Sequence, residues 1–219
     1  MIPLLHISNL NRSYPWSERT IFKNFSFSLQ QWEFLFISWK SGTGKTTLTR
    51  FITWEITPPV DTTFFHRQDL ARLKASELQE YRKKIGIVFQ DFKLLERKTV
   101  EQNILFPLHL ETSDPSALKQ ALDRVCDLLD IHTILKKYPR QLSGWEKQRA
   151  AIARALIRKP EFLIMDEPTW NIDDDASLAI LHECFRLNSL WITIVMITHD
   201  KSLINYTKKK WRTFRQLML

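Results

Sequence analysis

Apolar residues recur along this chain in two rhythms, and the change from one to the other marks its elements. In LLHIS and IFKNFSFSL they fall at alternate positions, as a sheet with one wet face requires, so the opening segment predicts two or three antiparallel strands. EFLFIS is instead a short continuous apolar run, the pattern of a strand covered on both faces. TTLTRFI then begins a helix. From Ser76 to about Pro139, SELQEYRKK, TVEQNILFPL and DPSALKQALDRVCDLLDI space apolar residues by three and four, which predicts helices, interrupted near the start by a strand over Ile85 to Gln90. A helix over Trp145 to Arg158, the buried strand EFLIMDE, the helix DASLAILHECFRL and the strand WITIVMITHD follow. Strands alternating with helices predict an α/β fold with a mostly parallel sheet flanked by helices. Its antiparallel N-terminal β subdomain precedes an α-helical subdomain over roughly 91–158, all within a single domain, 1–219.

Composition narrows the setting. With 219 residues, 44% of them apolar, the chain can bury a sizeable core. No run approaches the roughly 18 to 20 consecutive apolar residues of a membrane span, and the opening residues lack a secretory layout, so the protein is expected to work in the cytoplasm. Cys126 and Cys184 sit in helix-like apolar patterns without metal-ligand spacing, which reads as buried, reduced thiols. The net charge of +8 is scattered apart from Lys208-Lys209-Lys210, a solvated surface rather than a nucleic-acid footprint.

The chemistry gathers at strand ends. Trp39-Lys40-Ser41-Gly42-Thr43-Gly44-Lys45-Thr46 fits the phosphate-loop pattern G-x-x-x-x-G-K-[ST] everywhere except the first position, and lies between a buried strand and a helix, the context that pattern needs. Gly42 and Gly44 let backbone N–H groups turn toward phosphate oxygens, while the following helix points its positive end at them. Lys45 neutralises the terminal phosphates and the Thr46 hydroxyl ligates Mg²⁺. FLIMDE ends a second buried strand with Asp166, suited to Mg²⁺, and Glu167, suited to polarise an attacking water as general base.

At LSGWEKQRAAIARAL, Leu142 to Leu156, the sequence resembles the ATP-binding-cassette ATPases, whose signature runs L-S-G-G-[QE]. The resemblance spans the chain in the family's order. It implies that Tyr14 stacks on adenine and that residues from Trp39 through Thr47 hold the phosphates. Gln90 links metal and nucleotide to the helical subdomain, His199 contacts the γ-phosphate, and Glu167, His199 and Lys45 make the catalytic set. It implies Thr46, Gln90 and Asp166 around Mg²⁺, and Asn171-Ile172-Asp173 as the loop after the acidic pair. Leu142, Ser143, Gly144, Trp145 and Glu146 then act in trans, because two subunits close head to tail around ATP. Within the family, Ile85 to Leu108 is most similar to the cell-division branch, with lipoprotein-releasing and macrolide-export ATPases as rivals. The implied protein is a Mg-dependent ATPase on the cytoplasmic face of the cell membrane, a homodimer when ATP is bound, driving a separate integral membrane partner. A soluble cassette acting on nucleic acid usually carries two cassettes in one chain, and this one has room for one.

Glycine and tryptophan are out of proportion. The chain has 4 glycines and 8 tryptophans, where about 15 glycines are expected at roughly 7% usage. Trp39, Trp145 and Trp170 fall where the family has, or often has, glycine; Trp16, Trp32 and Trp191 sit at glycine-like places, Trp54 and Trp211 less clearly. Random decay would scatter many residue types, yet Lys45, Thr46, Asp166, Glu167 and His199 all survive. One replacement type at many positions predicts a codon rule: UGA meaning glycine in the organism, translated as tryptophan. The competing expectation is a catalytically impaired nucleotide-binding scaffold, in which a real indole at 145 would occupy the dimer interface.

Overall fold

The structure, a computed structural model, describes residues 2–13, 20–38, 44–169, 174–211 and 214–218. Tyr14, Trp16, residues 39–43 and residues 170–173 lie outside the described residues, as does the side chain of Lys45. Strands β1 (Leu5–Ser13) and β2 (Thr20–Leu29) form the antiparallel ladder the alternation predicts, Leu5 facing Leu29 and Ile7 facing Phe27. The alternation slips once in each strand. Asn9 and Asn24 take left-handed φ of 49° and 50°, the ladder shifts register between Ile7 and Leu10, and Phe22 stays buried with Phe25, Phe27 and Leu29.

Strand β3 (Phe34–Ser38) leads to helix α1 (Lys45–Ile52), then the short strands β4 (Thr63–Phe65) and β5 (Gln68–Asp69) and helix α2 (Ala75–Lys83). Strand β6 (Ile85–Val88) is followed by helices α3 (Val100–Leu105), α4 (Pro115–Leu129) and α5 (Gly144–Leu156). Strand β7 (Phe162–Asp166), helix α6 (Asp174–Ser189), strand β8 (Thr193–Ile197), helix α7 (Lys201–Lys210) and strand β9 (Arg215–Met218) complete the order. One sheet runs β2-β1-β4-β5, antiparallel; the other runs β6-β7-β8-β3-β9, with every pair parallel.

The parallel sheet is apolar on both faces because each face has its own core. Phe34, Phe36, Leu163, Met165, Ile194 and Met196 pack with residues of α3 to α6. The intervening Leu35, Ile37, Phe162, Ile164, Val195 and Ile197 pack with α1, α2 and the antiparallel sheet. Full burial of each such side chain contributes about 1.5–3 kcal/mol, so the strands are held by side-chain packing on two sides as well as by their ladders. Both cysteines are free and buried.

Helix ends follow local chemistry. Asp114 caps α4 by accepting from the Ser116 N–H, with Pro115 in the first turn. Asp200 does the same for α7 through the N–H groups of Ser202 and Leu203. The basic run Lys208-Lys209-Lys210 is the exposed last turn of α7, where cations offset the helix dipole. No helix among the described residues is long and apolar enough to cross a membrane.

Candidate functional site

Because all five strands of the second sheet are parallel, their carboxyl ends share one edge, and Gly44, Gln90, Asp166, Glu167 and His199 lie along it. After β3 the chain enters α1 through Gly44, which holds φ +108° at the N-cap. A β-carbon there would stand 2.2 Å from Ile21 Cγ2 and 3.1 Å from Phe22 Cζ, so both backbone and space demand glycine. The first turn of α1 contains no acidic residue, and Gly44 at its N-cap has no side chain to cap it. Its N–H groups and positive dipole end therefore suit a polyphosphate. Thr46 is exposed on that turn, whereas Thr47 is buried.

Two strands away, β7 ends at Asp166, in register with Ile197 of β8. The next residue, Glu167, is 3% exposed and adopts φ 47°, a strained conformation for a non-glycine residue of the kind that concentrates at functional sites. Its N–H donates to the Ile197 carbonyl at 2.9 Å. Its carboxylate accepts from the His199 backbone N–H at 3.3 Å and from His199 Nδ1 at 2.7 Å. A carboxylate oxygen accepting from Nδ1 fixes the hydrogen there and turns Nε2 away from Glu167. The acid and histidine noted in the sequence are thus one bonded pair, assembled from adjacent strand ends.

Gln90 follows β6, exposed in a turn, and the backbone just beyond it is unusual. Phe92 and Lys93 have consecutive φ of 59° and 49°. Their carbonyls are gripped by Arg154 near the end of α5, Nη2 to Phe92 O and Nη1 to Lys93 O, both at 2.6 Å. Farther along, Asn103 is fully buried; its amide donates to the carbonyls of Leu95, Lys98 and Thr99, and its oxygen accepts from the Leu95 N–H. Sequence reasoning passed over both residues. Their signals were an arginine between alanines on a buried helix and an asparagine on the apolar side of α3.

At its other end α5 carries the signature. Ser143 is the N-cap: its hydroxyl accepts from the Glu146 N–H at 3.2 Å, and the Ser143 N–H donates to Glu146 Oε2 at 2.8 Å. That backbone bond, with a second from Lys137 at 3.0 Å, holds the Glu146 carboxyl below the usual carboxylate range. Leu142 is buried beneath, and Gly144 is exposed with open space where a β-carbon would stand. Trp145 is half-buried, its ring against the core and the Arg149 guanidinium 5.2 Å from the ring centroid.

The family profile described as ABC transporter matches residues 22–170. The chain is 35% identical over 207 residues to Cell division ATP-binding protein FtsE of Bacillus subtilis (strain 168), covering 94% of this chain and 90% of that protein. It is also 35% identical over 212 residues to ABC transporter ATP-binding protein YxdL of the same organism, covering 95% and 82%. Among solved structures, the dimer of the ATP-binding cassette MJ0796 in a post-hydrolysis state, bound to ADP and Pi, superposes with a TM-score of 0.77 at 28% identity, covering 91% of this chain and 89% of that one.

Proposed function

The chain belongs to the ABC transporter family of ATPases, and from that premise we propose that it dimerises around ATP and drives an FtsX-like integral membrane protein in cell division. ATP hydrolysis is its activity. The observation that carries the site assignment is the bonded pair of Glu167 and His199 on the same sheet edge as the start of α1, which the chain enters through Gly44.

In this reading ATP lies with its phosphates on the first turn of α1, cradled by residues 39–47, and with its adenine on Tyr14. Glu167 takes the proton of the attacking water, and His199, oriented through Nδ1, offers its outer edge to the γ-phosphate. Thr46, Asp166 and Gln90 would hold Mg²⁺; the exposed Thr46 hydroxyl and the strand-end carboxylate fit a hard, oxygen-ligated cation. The ion, when bound, spreads the negative charge of the phosphates. Ser143 and Gly144 of a second copy close over the γ-phosphate with a hydroxyl and a helix amino end, the signature of Leu142 to Glu146 thus acting in trans. Closing and hydrolysis would then move the helical part of this single cassette domain, roughly 91–158. A groove of about 350 Å³ between β6 and this part, lined in part by Phe89, Leu95, Phe106 and Pro107, offers apolar surface to the membrane partner. The protein would sit peripherally on the cytoplasmic face.

The similarity to YxdL, an ABC transporter ATP-binding protein, supports a second reading, a transporter ATPase instead of a cell-division one, with the lipoprotein-releasing and macrolide-export types as its candidates. One experiment tests the site and another separates the two readings. Mg-dependent ATP hydrolysis is measured in the W39G/W145G/W170G chain; a rate no higher than that of the same chain carrying E167Q sinks the site assignment. A pull-down from the native organism is expected to recover an FtsX-like protein, and a substrate-exporting permease in its place selects the second reading.

A further inference from the structure

Three tryptophans stand at backbone positions that glycine ordinarily fills. Helix α1 closes with Glu55 N–H on the Arg50 carbonyl at 2.9 Å and Trp54 N–H on the Phe51 carbonyl at 3.2 Å. These are the six-to-one and five-to-two bonds of a Schellman end, and the left-handed residue just past the cap is Trp54, φ 55°. Helix α6 closes the same way, with Ile192 N–H on the Leu187 carbonyl at 3.4 Å and Trp191 N–H on the Asn188 carbonyl at 2.9 Å; Trp191 has φ 65°. Between β2 and β3, Glu33 N–H reaches the Gln30 carbonyl at 3.3 Å and closes a four-residue turn. Its third residue, Trp32, has φ 65°, the type II position that calls for glycine. A positive φ is found for only a few per cent of non-glycine residues; here it is found for three of the five tryptophans among the described residues.

The side chains add little at two of these sites. Trp32 and Trp191 are 51% and 71% exposed and lean on each other edge to face at 5.2 Å. The backbone does the holding: Trp32 N–H donates to Thr193 Oγ1 at 2.8 Å, and Asn188 Nδ2 donates to the Trp32 carbonyl at 2.9 Å. Trp54 does use its indole, which donates to the Leu70 carbonyl at 2.7 Å, but its backbone still occupies the glycine position. Trp211 is the opposite case. Its backbone is extended, φ −123° and ψ 139°, and its ring stacks on Phe185 at 4.3 Å and 9° and meets His182 edge-on at 5.0 Å.

We infer that residues 32, 54 and 191 are glycine in the protein as its organism makes it, decoded from UGA, and that Trp211 is a true tryptophan. The same decoding restores glycine at 39, 145 and 170, where the phosphate loop and signature need it. For 32, 54 and 191 the inference rests on backbone geometry alone; for 39, 145 and 170 it rests on the ATPase reading above.

The test reads the gene and the native protein. UGA codons at 32, 54 and 191 with UGG at 211, and native peptides carrying glycine at the first three and tryptophan at the last, are the expected result. UGG at 54 and 191, or UGA at 211, overturns it. In recombinant full-length chain made as written, W54G/W191G is expected to raise the Tm and W211G to lower it; the reverse order overturns the backbone argument. UGG codons would leave the family assignment intact, whereas UGA codons in a glycine-restored chain that fails to hydrolyse ATP would sink the ATPase reading and leave the decoding intact.

Discussion

Glu167 and Ser143 are both proposed to act on the γ-phosphate, yet they are built in opposite ways. Glu167 is 3% exposed and held by His199, 32 residues away, through the register of two buried parallel strands. Ser143 is exposed and held by Glu146, three residues on, through a capping box. The first is assembled by tertiary structure and completed inside one subunit. The second is finished locally and faces outward, as a group meant for another chain must. Chemistry and partner contact should therefore be separable by mutation.

The largest expected effect comes from removing the buried carboxylate's charge. E167Q should lower steady-state hydrolysis by about 10²–10⁴-fold while ATP-dependent dimers accumulate on size exclusion; a loss of both would merge the two regions and break the comparison. R154M is next, because Arg154 ties the loop beyond Gln90 to the helix that Ser143 caps. Two charge-assisted bonds that are partly solvent-screened are together worth about 2 kcal/mol. Hydrogen exchange at residues 91–95 should accelerate on the order of tenfold or more, and unchanged exchange would deny Arg154 any grip on that loop.

S143A should cost only about 1 kcal/mol of stability, the usual value of an N-cap, but should weaken dimer formation out of proportion to that loss. Thermal melts beside sedimentation with E167Q as background make the comparison. The smallest effect concerns pH. Glu146 has its folded pKa depressed, first by the Ser143 N–H and then by Lys137, so its contribution to stability is present at neutral pH and is lost as the pH falls through that lowered value. E146Q should flatten this acid-side part of the pH–Tm curve, and an unaltered curve would show that the capping box carries no charge-dependent share.

Legibility in the sequence divides along similar lines. The capping box at Ser143 and Glu146, and the apolar runs of β3, β7 and β8, are local patterns and could be read directly. The pairing of His199 with Glu167 needed the strand order, which no local spacing encodes. Strands β4 and β5 were missed because three and two residues are too few to show a period, and β9 because RQLM alternates weakly. Helix α7 was masked by its polar composition; its hold on the fold is Leu203, Ile204 and Thr207, one narrow stripe. Trp54 has few glycine-like neighbours in sequence, yet its left-handed φ is of the same kind as those of Trp32 and Trp191. Sequence shows which residue is odd, whereas only the backbone shows what it was replacing.

The order of the parallel sheet also has a bearing on how the protein is made. β3, the strand that launches the phosphate loop, sits between β8 and β9, with Phe34 paired to Ile194 and Leu35 to Arg215. During synthesis it must wait, unpaired and apolar, while nearly all the intervening chain emerges, since contacts this distant in sequence form late and leave sticky strands exposed. A nascent or truncated chain lacking β8 and β9 cannot fix the strand that supports the loop, and so should be unable to take up nucleotide.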